Sequence, residues 1–212
     1  MKTLFARILL IIMAICVLGA IPAGADYATA AAVAPAAGEP RNPQWAVPRE
    51  LEGAPNFFQV TEQIYRSAQP TIEGFKNLEK FGVKTIISLR DFHDDRNLTK
   101  GTQLRLERVA IDTWSIRDEE ILAVMRLLAR KENGPFLIHC QHGADRTGVI
   151  CAMYRILKQD WSKERALAEL QNGGYGFHAM WKNIITYIQG ANIAKLQAAL
   201  AAPPPAKPEA KP

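Results

Sequence analysis

The chain has 212 residues, of which 48% are hydrophobic and 22% are charged. This composition is ordinary for a soluble globular protein, and it excludes both a wholly disordered chain and a multi-pass membrane protein. The length allows one domain of about 100–200 residues. The net charge of +5 is not gathered into any block of Lys and Arg residues. Charge therefore gives no support to a nucleic-acid partner, and we expect none.

Residues 1–25 have the pattern of a secretory signal peptide. Lys2 and Arg7 precede a short apolar run, which ends in the small residues at 23–25. We therefore expect an exported protein that is periplasmic or secreted. The alternative is an uncleaved anchor through residues 4–21 in the inner membrane, facing the periplasm, although this apolar run is shorter than the ~20 residues of a spanning helix.

Both ends of the remaining chain are rich in Ala and Pro and nearly lack large side chains. Such segments cannot bury enough apolar surface to offset the entropy that is lost on ordering. We predict a flexible linker over 26–44 and a disordered tail over 201–212. The ordered part is predicted to be a single domain over 45–200, and we expect it to be a monomer.

Strands and helices are predicted to alternate between these ends. Apolar and β-branched runs bounded by turns indicate strands, and longer stretches with apolar residues at helical spacing indicate helices. Ser115 and Asp118 fit a capping box at one helix start. The alternation predicts an α/β domain with a central, mostly parallel sheet flanked by helices. Strands are predicted over 57–60, 63–66, 84–89, 104–111 and 136–138, and helices over 71–82, 116–132, 146–158, 162–172 and 180–199.

The segment HCQHGADRTG, residues 139–148, lies between a predicted buried strand and a predicted helix start. Ligands of open α/β sheets collect at the carboxyl ends of the strands. The loop from Cys140 to Arg146 is long enough to surround one tetrahedral oxyanion with inward-pointing N–H groups, backed by the positive end of the helix dipole. Gly143 supplies the backbone freedom that such a loop needs. The residues predicted to bind the anion are Gln141, His142, Gly143, Ala144, Asp145 and Arg146.

Three side chains of this segment have predicted chemical roles. A helix N-terminus and a nearby cation favour the thiolate form of a cysteine, so Cys140 is predicted to be a nucleophile. Arg146 offers a planar, permanently charged fork for two phosphoryl oxygens. Thr147 is predicted to donate a hydrogen bond to the Cys140 sulfur, which would make the sulfur a better leaving group in a second step.

The segment HCQHGADRTG resembles the HCxxGxxRTG signature of cysteine-dependent, dual-specificity-type phosphatases within the protein tyrosine phosphatase superfamily. The resemblance extends to YRSAQP at 65–70, IISLRDFHDD at 86–95, IDTW at 111–114 and GGYGFH at 173–178. It implies that family's fold, with the phosphatase loop between the central strand and a helix. It also implies a phosphomonoesterase that forms a cysteinyl-phosphate without metal or other cofactor. The implied substrate is a phosphorylated protein or a small phosphate ester.

The first step of such a reaction needs a proton for the leaving oxygen. The resemblance implies that an aspartate on a loop well before the cysteine supplies it. Asp112, directly after a predicted strand, is the preferred general acid, and Asp118, Asp94 and Asp95 are the alternatives. The neutral acid would act in the first step and its carboxylate would activate water in the second, which predicts a bell-shaped pH dependence. Trp114 is interpreted as part of a mobile loop that carries this acid.

Other interpretations of these residues stay open at this point. Cys151 is predicted to be a core residue, or else a resolving thiol for Cys140. Arg66 and Arg90 are interpreted as structural ion-pair partners rather than substrate clamps. A metal is not expected, because adjacent His and Cys residues are poorly spaced for chelation and an arginine in the loop would repel a cation. The metal ligands considered are His139, Cys140, His142 and either Cys151 or His178.

In the alternative functions the same loop binds phosphate, but the substrate or the outcome differs. They are hydrolysis of inositol phosphates or phosphoinositides, hydrolysis of an RNA 5′-triphosphate, and phosphate binding without turnover. Predicted export disfavours RNA, and a loop that lacks lysine but contains Asp145 disfavours highly phosphorylated inositols. Asp145 alternatively holds Arg146 or a loop amide. The intact Cys140, Arg146 and Thr147 disfavour a module that only binds.

Overall fold

The computed structural model describes residues 41–203, so the predicted signal peptide or anchor, residues 26–40 and residues 204–212 lie outside the described residues. Among the described residues no helix has the length and apolar character needed to cross a membrane. The strands are β1 (Val47–Pro48), β2 (Phe58–Thr61), β3 (Ile64–Ser67), β4 (Thr85–Ser88), β5 (Arg105–Arg108) and β6 (Phe136–His139). The helices are α1 (Ile72–Phe81), α2 (Asp118–Leu128), α3 (Arg146–Gln159), α4 (Lys163–Asn172), α5 (Lys182–Gly190) and α6 (Ile193–Ala201), with a 3₁₀ turn at Lys131–Asn133.

The strands form one sheet in the order β1-β2-β3-β6-β4-β5, with β6 at its centre. β3, β6, β4 and β5 run parallel, whereas β1 and β2 extend the sheet antiparallel beside β3. Ser67 and Ser88, the last residues of β3 and β4, are the register partners of His139 in β6. The carboxyl ends of three strands therefore meet at one edge, where open α/β sheets bind ligands. The predicted single α/β domain with a mostly parallel central sheet is confirmed.

Successive side chains of the central strands pack into two separate cores, because neighbouring residues of a strand point to opposite faces. Ile86 and Leu137 pack with Phe75 of α1 on one face. Ile87 and Ile138 pack with residues of α2 to α6 on the other face. Burial on both faces explains why these strands are continuously apolar in sequence.

Helix α2 begins without the capping box that was predicted from Ser115, so that prediction is wrong. The helix starts at Asp118, and the carboxylate of Glu120 accepts a hydrogen bond from the backbone N–H of Arg117 at 3.1 Å. The side chain of Asp118 instead accepts hydrogen bonds from one side chain of α5 and one of α6. The local cap is therefore formed by Arg117 and Glu120, two residues further along the chain, and Asp118 makes tertiary contacts to the last two helices.

The helix predicted over 180–199 is two helices, α5 and α6. The backbone at Ala191 is extended, with φ −56° and ψ 130°, and the Asn192 side chain then accepts a hydrogen bond from the Lys195 N–H at 3.0 Å. Asn favours such cap positions because its side chain competes with the hydrogen bonds of a helix interior. Helix α6 ends at Ala201, so the first residue of the predicted tail is helical.

The side-chain caps predicted for two other helices are confirmed. Thr71 accepts a hydrogen bond from the Gly74 N–H at 3.0 Å at the start of α1, and Ser162 accepts one from the Arg165 N–H at 3.2 Å at the start of α4. The strand predicted over 104–111 is shorter, since only the four residues of β5 pair with β4. The residues after β5 therefore lie outside the strand, and they form the segment that carries Asp112 and Trp114.

Glu169 of α4 joins four parts of the chain inside the protein. Its carboxylate accepts hydrogen bonds from Nε of Arg155 in α3 at 2.8 Å, from the Ala46 N–H at 2.7 Å and from the Tyr175 hydroxyl at 2.9 Å. Burial disfavours the charged carboxylate, but the Arg155 guanidinium and the other donors outweigh it and hold the pKa of Glu169 below its ordinary value. This ion pair therefore connects the chain before β1 and the Tyr175 segment to α3 and α4.

We expect Glu169→Gln to lower the free energy of unfolding by about 3–5 kcal/mol near neutral pH, because it leaves the charge of Arg155 buried without its partner. Since the pKa of Glu169 is lowered in the folded state, this wild-type advantage is present above the ordinary Glu pKa of ~4.3. It is lost as the pH falls through the lowered value. Urea unfolding at several pH values measures the difference.

The matched control is Glu164→Gln, which removes an exposed carboxylate from the same helix. Its carboxylate lies in the first turn of α4, so its loss should lower the free energy of unfolding by at most about 0.3–1 kcal/mol, much less than the loss of Glu169. Equal unfolding free energies for the two variants would contradict the role assigned to Glu169.

Candidate active site

The 140–146 loop follows β6 and ends at the first residue of α3, as predicted. Cys140 is 2% exposed. Gly143 has a φ of +69° and lies against the end of β3, so a Cβ at this position would come within 2.5 Å of the Ser67 carbonyl. Both the backbone conformation and the close approach require glycine here. The loop is thereby pressed against the edge where the central strands end.

Two side chains from outside the loop hold its carbonyl groups. Buried Arg66 of β3 donates from Nη2 to the Gly143 carbonyl at 2.7 Å, and Asn56 donates from Nδ2 to the His142 carbonyl at 2.8 Å. The Arg66 guanidinium also lies over the Tyr175 ring, 3.7 Å from its centre, and Asn56 also donates to the Tyr175 carbonyl at 2.9 Å. The interpretation of Arg66 as an ion-pair partner is wrong, because its partners are a carbonyl and an aromatic face.

The backbone N–H groups of 141–145 donate no hydrogen bond to any backbone or side-chain group of residues 41–203. Asp145 is the residue before α3, and its side chain makes no capping hydrogen bond to the free N–H groups of that helix. Successive free N–H groups at a helix N-terminus bind anions. The loop can therefore surround an anion placed beside Cys140.

A chain of hydrogen bonds behind the loop supports His139, the residue before Cys140. His139 Nε2 lies 2.8 Å from Asp95 Oδ2, Gln69 donates to Asp95 Oδ1 at 2.9 Å, and Arg90 donates to the Gln69 amide oxygen at 2.7 Å. Burial opposes the charge of Asp95, but His139 and Gln69 outweigh it and hold its pKa below the ordinary value. Asp95 is thus an ionised structural partner of His139. Arg90 hydrogen-bonds an amide rather than forming the predicted ion pair.

An open cleft of about 340 Å³ lies beside the loop. Gln141 and Arg146 of the loop line it, together with Asp112 and Trp114 from the segment that follows β5. Nη1 of Arg146 is 3.4 Å from the Leu89 carbonyl, so its guanidinium lies at the edge of the sheet. The structure therefore brings the predicted acid and the predicted phosphate-binding arginine to one cleft.

Asp112 differs from the three alternative acids in its surroundings. It is exposed in the cleft, and its Oδ1 accepts a hydrogen bond from the Trp114 N–H at 2.9 Å. Each alternative has another partner and does not line the cleft. The partners are Arg96 for Asp94, His139 for Asp95, and Lys195 with Tyr187 for Asp118.

The segment that carries Asp112 is attached to the start of α5. Asn183 donates from Nδ2 to the Thr113 carbonyl at 2.7 Å, and the Trp114 ring packs edge-on against Trp181 with 4.6 Å between ring centres. Trp114 nevertheless stays 70% exposed. Helix α5 therefore sets the position of Asp112, a relation that no pattern in the sequence indicates.

Two predictions about α3 have different outcomes. The hydrogen bond predicted from Thr147 to the Cys140 sulfur is absent, since Thr147 Oγ1 is buried on the inner face of α3 and has no partner among the described residues. Cys151 is a core residue as predicted, 4% exposed, and burial raises the pKa of its thiol. Cys140 and Cys151 are both free thiols here.

Asp145 binds neither Arg146 nor an amide of its own loop. Its Oδ1 accepts from the backbone N–H of His178 at 3.0 Å, and its Oδ2 lies 2.8 Å from His178 Nδ1. The segment 173–178 is thus fastened to the start of α3. Asn56, Tyr175 and this pairing support the loop from positions that are far away in sequence.

The site contains a buried cysteine at the end of a central parallel strand, with free N–H groups beside it and an arginine at the start of the next helix. These features define a cysteine-dependent phosphatase. The model of the Tyrosine phosphatase family matches residues 54–192, and the chain belongs to this family. It is a hydrolase of the protein-tyrosine-phosphatase type, as the sequence motif predicted.

The chain is similar to the dual specificity protein phosphatase TpbA of Pseudomonas aeruginosa strain UCBPP-PA14, with 36% identity over 164 residues, 76% of this chain and 73% of that protein. A crystal structure of P. aeruginosa TpbA has a TM-score of 0.70 and 35% identity, over 77% of this chain and 100% of that chain. A TpbA variant in complex with phosphotyrosine has a TM-score of 0.69 and 34% identity, over 76% and 99% of the two chains. The inositol diphosphatase DSP5 of Arabidopsis thaliana is 31% identical over 125 residues, 55% of this chain and 61% of that protein.

We expect Asn183→Ala to lower kcat about three- to tenfold, the effect of losing one hydrogen bond of about 0.5–1.5 kcal/mol that positions Asp112. The loss should be larger for alkyl phosphates, which need the acid, than for p-nitrophenyl phosphate. Steady-state kinetics on both substrates measure it. Thr186→Ala, an exposed change on the same helix, is the control, and equal kinetics of the two variants would argue against this role of α5.

Proposed function

We propose that the chain is an exported phosphatase that hydrolyses phosphotyrosine in proteins through a cysteinyl-phosphate. One observation carries this proposal. Gln141 and Arg146 of the loop line one cleft together with Asp112, and the N–H groups of 141–145, directly after Cys140, have no hydrogen-bond partner among the described residues. This set contains an anion site, a nucleophile, a charge-stabilising group and a proton donor.

In the first step, the Cys140 thiolate attacks phosphorus and the bond from phosphorus to the ester oxygen breaks. The N–H groups of 141–145 and the Arg146 guanidinium bind the non-bridging oxygens, where negative charge is held in the transition state. Neutral Asp112 gives its proton to the leaving oxygen. The products are the alcohol or phenol and a phosphate bound to sulfur.

In the second step, the Asp112 carboxylate takes a proton from water, and the water oxygen attacks phosphorus. The sulfur leaves as a thiolate, and inorganic phosphate is released. The covalent intermediate on Cys140 divides one difficult hydrolysis into two easier steps. Asp112 acts as the acid in the first step and as the base in the second. The Asp95–His139 pair keeps the residue before Cys140 in place in both steps.

Aromatic side chains at the cleft support phosphotyrosine as the substrate. Phe92 is 90% exposed and Trp114 is 70% exposed, and both line the cleft. Such exposed rings fit the planar phenyl group of phosphotyrosine better than they fit a polyhydroxylated ring. The TpbA structure with bound phosphotyrosine supports the same class of ligand.

Hydrolysis of inositol diphosphates is the second candidate, because DSP5 is among the relatives of this chain. The loop offers no lysine between Cys140 and Arg146, and Asp145 adds a negative charge beside the anion site. Both features weaken binding of a highly charged inositol. They are the reason why we rank it below phosphotyrosine.

Export is proposed from the pattern of residues 1–25. A signal peptide would direct the enzyme to the periplasm or the medium, and the alternative anchor would hold it at the inner membrane facing the periplasm. Recovery from the periplasm of a chain that begins near residue 26 would support the first form. A chain with its full N-terminus in the membrane fraction would support the second.

We expect the full chain to hydrolyse p-nitrophenyl phosphate and phosphotyrosine peptides, and Cys140→Ser to have no measurable turnover. The panel also contains phosphoserine peptides, an inositol diphosphate and RNA with a 5′-triphosphate. Comparison of kcat/KM across the panel decides the substrate class. Preference for the inositol or the RNA would overturn the phosphotyrosine proposal, and equal activity of Cys140→Ser would overturn the mechanism.

We expect Asp112→Asn to lower kcat by ~10²- to 10⁴-fold for phosphoserine peptides, because the amide cannot protonate a poor leaving group. The effect on p-nitrophenyl phosphate should be smaller, since its leaving group needs little protonation. Steady-state kinetics on both substrates test this, with Asp94→Asn as control, and unchanged turnover of both substrates would remove Asp112 from the role.

A further inference from the structure

Three potential metal ligands lie together beside the 140–146 loop. One ligand atom each of His142, Asp145 and His178 lies within 4.8 Å of those of the other two. None of the three lines the cleft that contains Arg146. We propose that these residues bind a divalent transition-metal ion of the Zn²⁺ class at the rim of the loop. The ion would be separate from the sulfur and from the phosphatase reaction.

Asp145 supplies the fixed part of this site. Its side chain is buried and holds both the backbone N–H and the Nδ1 of His178. The hydrogen bond from the His178 backbone N–H can remain when the Nδ1 contact is exchanged for metal bonds, so it holds the carboxylate beside the imidazole. The site is thus preorganised by a contact between the start of α3 and the segment before α5.

The two histidines supply the movable part. The His142 and His178 rings pack edge-on with 5.3 Å between their centres, and both side chains are exposed to solvent. Zn²⁺ binds imidazole nitrogen and carboxylate oxygen at ~2.0–2.2 Å in a tetrahedral site. The ligand atoms now lie within 4.8 Å of one another, so the proposed site requires a rotation of the two exposed rings to bring their nitrogens to this distance from one ion, with the fourth position open to water.

Binding exchanges a hydrogen bond for metal bonds. In the free protein His178 Nδ1 lies 2.8 Å from Asp145 Oδ2, a distance at which an Nδ1–H group donates to the carboxylate. On binding, neutral His178 carries its proton on Nε2, so Nδ1 and the Asp145 carboxylate can both bind the ion through lone pairs. His142 provides the third ligand, and no redox change is involved.

The charge of Arg146 does not oppose this site directly. Its Nη1 lies 3.4 Å from the Leu89 carbonyl, among the residues of the cleft. The ligand set also differs from the one that the sequence disfavoured, which depended on His139 and Cys140. Both of those residues are buried, and His139 is bound to Asp95.

The simpler interpretation is that Asp145 and His178 only fasten two segments together. That interpretation leaves the His142 side chain with only its edge-on packing against the His178 ring. Metal binding, in contrast, requires the His142 imidazole. A variant of His142 therefore separates the two interpretations without removing the Asp145–His178 contact.

The test uses the full chain with Cys140→Ser, which removes the reactive thiolate as a competing ligand, and Co²⁺ as the probe. We expect one Co²⁺ to bind per chain with visible absorption typical of nitrogen and oxygen ligands. Adding His142→Ala should weaken this binding at least tenfold, and His178→Ala should do the same. His93→Ala is the matched control, since His93 is an exposed histidine that lines the cleft and lies outside the three-residue cluster, and it should leave Co²⁺ affinity unchanged.

Isothermal titration with Zn²⁺ and the rise in Tm on Zn²⁺ addition give two further readouts on the same proteins. Both signals should be present in the Cys140→Ser chain and in its His93→Ala variant, and lost in His142→Ala. Absence of Co²⁺ and Zn²⁺ binding, or equal binding by all variants, would overturn the proposal. The outcome does not depend on the proposed phosphatase function, because every protein compared lacks the nucleophile.

Discussion

The hydrogen bonds that hold the carbonyl groups of the 140–146 loop from outside are the interactions on which the site depends. Arg66 holds the Gly143 carbonyl and Asn56 holds the His142 carbonyl. With these oxygens engaged, the N–H groups of 141–145 stay free for an anion. A backbone whose donors already converge loses little entropy when phosphate binds, and it needs no rearrangement as the reaction proceeds.

Buried charges secure this arrangement at several points around the sheet edge. The Asp95–His139 pair lies behind the nucleophile, and the Arg155–Glu169 pair connects the helix after the loop to Tyr175. Tyr175 in turn lies against the Arg66 guanidinium. Each of these buried charges has a hydrogen-bond partner, an opposite charge or an aromatic face beside it, which offsets part of the cost of desolvation.

The features that depend only on neighbouring residues could be predicted from the sequence. The 139–148 motif, the strand before it and the caps at Thr71 and Ser162 depend on a few adjacent residues, and the structure contains them as predicted. The cap predicted at Ser115 is wrong because the helix begins later, where Glu120 accepts from the Arg117 N–H. The functions of Asn56, Arg66 and Asn183 could not be predicted, since each depends on a partner that only the folded chain brings near.

The position of β6 in the sheet affects how the protein can fold during its synthesis on the ribosome. β6 lies between β3 and β4, yet it is the last strand in the chain. A chain made from its N-terminus can therefore join the two halves of its sheet only after most of the domain has emerged, and such distant pairings are slow to form. The residues of the loop arrive directly behind that strand. A nascent chain accordingly has no assembled site until its sheet is complete.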